Sequence, residues 1–393
     1  TVGVKTGQLA AIWDIFDNPF ISSELEDLKD EARPMDKLAI YETLQAILPG
    51  NIYDNIADIP QLLGSASIKT VARVVFTDES QKVVMLRRPK ALALVKENLQ
   101  RTRRFLAALQ NDEDLRAQTQ ALSGLLEIVE QELEEELDFS LEVQKATAAG
   151  APFGSSQDPL RVDSWEVRVP DLAMNGRVFK DLQDPEDGAQ AMFMELAENT
   201  VTYRQIRNEA LKAEVGQLIV RVSFHAGFYL GFFNADPHQG NFLVNTDAKI
   251  LYPIDFGQAE QLNCPAIESL DDERKILAKF LLAVGRHKPH NIASAGLLMT
   301  RQDASGSRAT LVQALQGKDS FQKIIMAFGE ANTPLQKKYF GILKGLAILE
   351  KEEYVPKAHF HQLIEEEVAN LALAGWRKRI YMLTRSCKAF FRK

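Results

Sequence analysis

Gly231-Phe232-Phe233-Asn234-Ala235-Asp236-Pro237-His238-Gln239-Gly240-Asn241, then Phe242-Leu243-Val244 and Ile250-Leu251-Tyr252, then Asp255-Phe256-Gly257: this stretch decides how the chain is read. Asp236 and Asn241 stand five residues apart on a polar loop bearing Gly and Pro. The two apolar triplets flank a turn and predict a hairpin. Phosphoryl transfer requires such a set. One carboxylate orients the nucleophile, while a neutral amide oxygen and a second carboxylate hold Mg²⁺ against phosphates. A bare Asp-Phe-Gly is weak, because any three residues recur by chance. The ordered set, Asp-x-x-x-x-Asn, hairpin, Asp-Phe-Gly, is strong. The bland alternative makes Asp236 and Asn241 ordinary turn residues.

Upstream, Val71-Ala72-Arg73-Val74-Val75-Phe76 and Lys82-Val83-Val84-Met85-Leu86-Arg87-Arg88 flank the polar turn Thr77-Asp78-Glu79-Ser80, and Pro89 follows. Their β-branched and aromatic content predicts another hairpin. Residues 1–60 read as helices, with Leu9, Ile12, Trp13 and Phe16 at helical spacing. Residues 90–146 read as helical, their glutamates mostly a solvated face. Residues 150–160 form a loop, Glu166–Val169 and Arg177–Phe179 read as short strands, and Asn175-Gly176 signals a turn. Residues 190–230 and 270–393 read as helical. The outline is a small mixed α/β lobe followed by a larger helical one.

The 393 residues leave room for two or three cores. With 46% hydrophobic and 25% charged residues, the mixture is globular. The net charge of −8 argues against a general nucleic-acid binder. Only Cys264 and Cys387 occur, too few for a disulfide framework. The apolar run near Leu277–Val284 is shorter than the roughly 20 residues a bilayer span needs. The chain opens without Met, on a helix-like segment, as a trimmed chain would.

Ala235-Asp236-Pro237-His238-Gln239-Gly240-Asn241 resembles the catalytic loop of the UbiB/ABC1 (ADCK/AarF) family of atypical kinases. Lys5-Thr6-Gly7-Gln8 is similar to that family's Lys-x-Gly-Gln signature, and Ala66-Ser67-Ile68 to its alanine-rich nucleotide loop. Glu136-Leu137-Asp138 matches its Glu-x-Asp element, Glu142 falls at the helix C glutamate, and Arg88-Pro89 follows the third strand. The resemblance implies an α+β, protein-kinase-like two-lobed fold. It divides the chain into a helical extension (1–60), an N-lobe (61–174, with a helical insert 90–135 and helix C), a helical C-lobe (175–345) and a helical tail (346–393). It implies ATP and Mg²⁺ as cofactors. Asp236 would be the catalytic-loop aspartate, Asn241 and Asp255 metal ligands, and Ala66 and Ser67 a cover over the phosphates. Lys5, Gln8, Glu136 and Asp138 would belong to an inhibitory cover over a substrate groove. The implied setting is isoprenoid-quinone or lipid metabolism, on the cytoplasmic or organelle-matrix side of a membrane. The implied partners are nucleotide and a membrane surface or lipid-pathway protein, with no nucleic acid.

The chain departs from the family at its third strand. Anchoring on Arg88-Pro89 puts Met85 where the nucleotide-binding lysine belongs, and a methionine cannot donate to phosphate or pair with Glu142. Three readings stand: Lys69 replaces it from the nucleotide loop, Arg87 replaces it from the same strand face, or nothing does. The last makes the chain a pseudokinase that acts as a regulatory or lipid-binding partner. His238 reads as a structural member of its loop. The tail Trp376–Lys393 carries seven Lys and Arg, interleaved with aromatics, and no acid. It reads equally as a membrane-surface helix and as a helix packed with its charges in solvent.

Overall fold

The computed structural model describes residues 35–65, 68–109, 126, 130–262, 272–301 and 304–368. The chain divides into two compact units, Thr1–Val201 with Phe242–Gln258, and Thr202–Asn241 with Ala259–Lys393. The first unit is built on sheet and the second on helix, so the fold is mixed α+β.

In the first unit, helices α1 (Lys37–Ile47) and α2 (Gly50–Tyr53) precede a sheet of order β1-β2-β3-β7-β6. Its strands are β1 (Ile56–Ser65), β2 (Lys69–Phe76), β3 (Gln81–Arg87), β6 (Phe179–Lys180) and β7 (Gln190–Glu195). The β2–β3 hairpin falls where the β-branched runs place it, closed by Phe76 N–H donating to the Ser80 carbonyl at 2.9 Å. Strand side chains alternate, so the sheet has two distinct faces. On one, Ala72, Val74, Phe76, Val84, Leu86, Ala191 and Phe193 pack with Ile40, Leu44 and Ile47 of α1. Asp36 caps α1, accepting from the Ala39 N–H at 2.7 Å.

The other face carries Lys69, Arg87 and Met85. Lys69 lies opposite Arg87 and Val71 opposite Met85, and directly opposed residues of an antiparallel pair share a face. Next come Gln190 and Met192 of β7, opposite Arg87 and Met85. The insert contributes α3 (Ala91–Leu109), and α4 (Phe139–Phe153) follows a helical segment at 130–137. Met85, Met192 and Phe139 of α4 form an apolar cluster, with Val71 and Val143 packed against it. Asp138 caps α4 by accepting from the Ser140 N–H at 2.9 Å.

A second sheet runs β4-β5-β11-β10-β8, comprising Leu160–Val162, Trp165–Val167, Ile250–Pro253, Phe242–Asn245 and Val201–Thr202. The β10–β11 hairpin pairs in unbroken register from Phe242↔Pro253 to Asn245↔Ile250. Because β11 also runs parallel to β5, Asp-Phe-Gly at the end of this hairpin belongs to the first unit.

Several segments differ from the sequence reading: α4 runs on to Phe153 where the sequence predicts a loop from 150, and the helix predicted from 190 starts only at Glu209. Residues 56–60 are strand rather than helix, the start of an edge strand that tolerates Pro60 because an edge leaves one N–H row unpaired. Residues 190–195 are strand β7 rather than the start of a long helix. Gln-Ala-Met-Phe-Met is apolar without alternation because both faces of β7 are covered, and such a run is ambiguous by period alone.

In the second unit, Asn208 caps α5 (Glu209–Phe224), which runs into a π-turn at His225–Tyr229. A two-stranded pair, β9 (Phe232–Phe233) and β12 (Glu260–Gln261), precedes α6 (Asp272–Gly285), α7 (Pro289–Gly296), α8 (Arg308–Ala314), α9 (Phe321–Glu330) and α10 (Lys337–Lys351). Every residue of α10 from Tyr339 to Glu350 is buried, which makes it the central helix of this unit.

Candidate active site

Lys69, the first residue of β2, is buried. Its Nζ lies 3.0 Å from Oδ2 of Asp255 and 4.0 Å from Oε1 of Glu136. Burial opposes the charge, but Asp255, Glu142 and Glu136 outweigh it and hold the ammonium well above the usual lysine range. Glu142, in the first turn of α4, is 4% exposed. Burial pushes its carboxyl up to about 7; Lys69 pulls it down, and Asp255 and Glu136 push it further up. Asp255 sits in the left-handed region at φ 57°, where aspartate is one of the few tolerated side chains.

Helix α4 grips the Asp-Phe-Gly segment at three points. Phe256 packs on Phe153 with ring centroids 5.6 Å apart. A Cβ on Gly257 would meet Oε2 of Glu142 at 2.5 Å, so only glycine lets the glutamate lie there. Lys145, one turn beyond Glu142, donates to the Gly257 carbonyl at 2.6 Å and to Oε2 of Glu135 at 3.0 Å.

Met85 sits in its apolar cluster, 7% exposed. The Arg87 guanidinium is committed to backbone carbonyls: Leu137 at 2.8 Å, Glu186 at 3.1 Å and Gly188. Of the two replacements that the sequence offered, Lys69 is the one whose charged end reaches the carboxylates.

In the second unit, the Asn234–Asn241 loop braces itself. Asp236 N–H donates to Oδ1 of Asn234 at 2.9 Å, and Gly240 N–H to Nδ1 of His238 at 3.0 Å. Asn241 donates its amide N–H to the Asp236 carbonyl at 2.9 Å, which leaves the amide oxygen as its acceptor for a cation. From outside the loop, Tyr354 donates to the Pro237 carbonyl at 3.0 Å and the Gln239 side chain to the Glu352 carbonyl at 3.0 Å.

The structure therefore brings together Lys69, Glu136, Glu142 and Asp255 in one unit, and Asp236 and Asn241 in the other. Asp138 is the cap of α4, its carboxylate 3.8 Å from Lys180. Lys5, Gln8, Ala66 and Ser67 lie outside the described residues, as does the basic tail. Sequence reasoning missed Lys145 and Glu135; the available signal was the i, i+3 spacing of Lys145 from Glu142 on a helix.

Among the described residues, the Lys69 ammonium faces the carboxyl groups of Asp255, Glu142 and Glu136, and Lys145 acts on Glu142 as well. Among the described residues, no group of three or more His, Cys, Asp or Glu could hold a metal alone. Mg²⁺ keeps waters and takes one or two protein carboxylates together with substrate phosphates. The Asp255 carboxylate in the first unit and the Asn241 amide oxygen in the second are each hard oxygen donors of the kind this ion takes.

The family model for the ABC1 atypical kinase-like domain matches residues 27–286. A plant relative, the chloroplastic protein Activity of bc1 complex kinase 7 of Arabidopsis thaliana, is 26% identical over 265 residues, covering 66% of this chain. The chain spans about a third of that relative's length, 35%. Among solved structures, the erythromycin complex of Rv3197 from Mycobacterium tuberculosis is similar over 90% of this chain and 91% of that one, at 17% identity and a TM-score of 0.46. With its family match extending over most of the chain and through the Asp-Phe-Gly segment, the protein belongs to the ABC1 atypical kinase-like family.

Proposed function

We propose that the protein binds Mg·ATP and transfers or hydrolyses its γ-phosphate, with Lys69 on β2 supplying the phosphate-facing cation that β3 lacks. The observation that carries this is the Lys69 ammonium, 3.0 Å from Asp255 and buried beside Glu142. Lysine suits the role as a compact charge with three donors. Mg²⁺, when bound, would neutralise phosphate charge, with Asp255 and Asn241 assigned as its ligands from motif order. Asp236 is assigned as the catalytic-loop carboxylate from motif order.

A second reading, a nucleotide-binding regulatory protein without turnover, is favoured by one observation: Met85 is packed in an apolar cluster. Family membership supports a setting in isoprenoid-quinone or lipid metabolism, and the basic tail supports a membrane surface as partner.

Thermal unfolding with and without nucleotide tests the reading. Mg·ATP at 100 times its Kd adds about 2.7 kcal/mol of stability. Asp255→Asn abolishes the Mg²⁺-dependent part. No shift at millimolar Mg·ATP or Mg·ADP, with folding confirmed, rejects nucleotide binding. A shift without phosphate release selects the regulatory reading.

A further inference from the structure

We infer that Lys145 is a positioning residue that locks the Asp-Phe-Gly segment to helix α4, so that Glu142 and Asp255 move as one body. Its Nζ has two partners from two segments. The Gly257 carbonyl, two residues after Asp255, accepts at 2.6 Å. Glu135, in the helical segment before α4, accepts at 3.0 Å. The ammonium therefore joins three pieces of chain: segment 130–137, α4 and the end of the β10–β11 hairpin. A charge-assisted bond to a carbonyl is stronger than a neutral one, and at 2.6 Å this one is short.

Two further contacts make the lock specific to Asp255. Gly257 N–H points back to Oδ1 of Asp255 at 3.4 Å, so this residue meets the aspartate through its N–H and Lys145 through its C=O, on the two peptide planes that flank its Cα. The absent Cβ of Gly257 leaves the space that the Glu142 carboxylate fills. Pulling α4 away would break the Lys145 bond and open the Glu142 contact together. Asp255 is held at φ 57°, a conformation that its surroundings must impose. Phe256 on Phe153 anchors the segment's apolar side but cannot fix the direction of a peptide plane. Lys145 can, because it binds the carbonyl itself. This regulation of the site rests on the nucleotide reading only for its catalytic consequence; the mechanical coupling stands without it.

The experiment uses the full chain and two readouts. Amide hydrogen exchange in the nucleotide-free protein reads the coupling directly. Lys145→Met raises exchange at 255–258 at least tenfold and leaves β2 and β3 within twofold, while Lys145→Arg, which keeps a donor, restores the parent rate. Unchanged exchange at 255–258 overturns the inference. An equal rise in β2 and β3 also overturns it, since Lys145 would then be an ordinary stabilising residue. The second readout is ATP hydrolysis: Lys145→Met lowers kcat tenfold or more and holds the KM for ATP within threefold, since Lys145 touches neither Lys69 nor the phosphates. A matching rise in KM with kcat preserved contradicts a positioning role. If the parent itself neither binds nor turns over nucleotide, the nucleotide reading fails, and the exchange readout alone decides Lys145.

Discussion

Lys69 and Glu142 set the pH behaviour of the first unit. Glu142 titrates near 7 in the folded chain and near 4.5 when unfolded. Between these values the folded state holds a proton that the unfolded state has lost, so stability falls as pH rises from about 4.5 to 7 and then levels. Glu142→Gln is expected to flatten that limb and to leave the variant more stable than the parent at pH 8, measured by urea unfolding across pH. Lys69 has the same slope in a more alkaline window. Its raised pKa contributes stability that is complete below the unfolded value of 10.5, hence throughout neutral pH. Lys69→Met should cost about 3–5 kcal/mol at pH 8, because it leaves buried carboxylates without their cation. It should recover part of that at pH 6, when Glu142 takes up a proton, and should weaken Mg·ATP binding tenfold or more. The loop that carries Asp236 and Asn241 and the hairpin that leads to Asp255 were legible in the sequence because their signals are local and ordered. Lys69 was one of three alternatives in the sequence and reads there as a loop residue, because pairing across a sheet determines where its side chain goes. Lys145 was not legible, since its partner is a carbonyl 112 residues away.

At the scale of elements, close approach explains two glycines with opposite expected outcomes. Gly345, inside α10, faces the Asn234–Asn241 loop, and an added Cβ would stand 2.5 Å from the Asn234 carbonyl oxygen and 3.2 Å from Cα of Ala235. Gly345→Ala is expected to destabilise by about 1–3 kcal/mol through overpacking and to displace the backbone beside Asp236. Gly329, in α9, has nothing within 4 Å of its Cβ position, so Gly329→Ala should stabilise by up to ~1 kcal/mol through helix propensity alone. Paired melting curves check the contrast. The two hairpins were legible because each joins apolar runs across a short polar turn. Asn175-Gly176 was legible too, with φ 57° and 67° in the structure. Strands β1 and β7 were not. The first is an edge carrying Pro60 and the second is covered on both faces, so neither shows the alternation that betrays a half-buried strand.

At the scale of the whole molecule, charge is unevenly placed. Seven basic residues and no acid fall in Trp376–Lys393 of a chain whose net charge is −8. No helix among the described residues is long and apolar enough to cross a membrane. The tail is expected to bring the protein to anionic vesicles, each surface-adjacent Lys or Arg contributing about 1 kcal/mol, with binding lost as salt rises. Vesicle co-sedimentation that is unchanged on deleting 376–393 rejects this.

The pairing of Lys69 with Arg87 and of Val71 with Met85 has a consequence for how inactive members of a fold are recognised. A lysine one strand over, ~7 Å along the diagonal, faces the same side of the sheet. A search that inspects one alignment column sees methionine and discards the chain as catalytically dead. Only a search that scores the two-dimensional lattice of a sheet face, asking whether any of its positions supplies the charge, would keep it. Counts of dead members drawn from single columns are therefore upper bounds wherever two adjacent strands can exchange a side chain's duty.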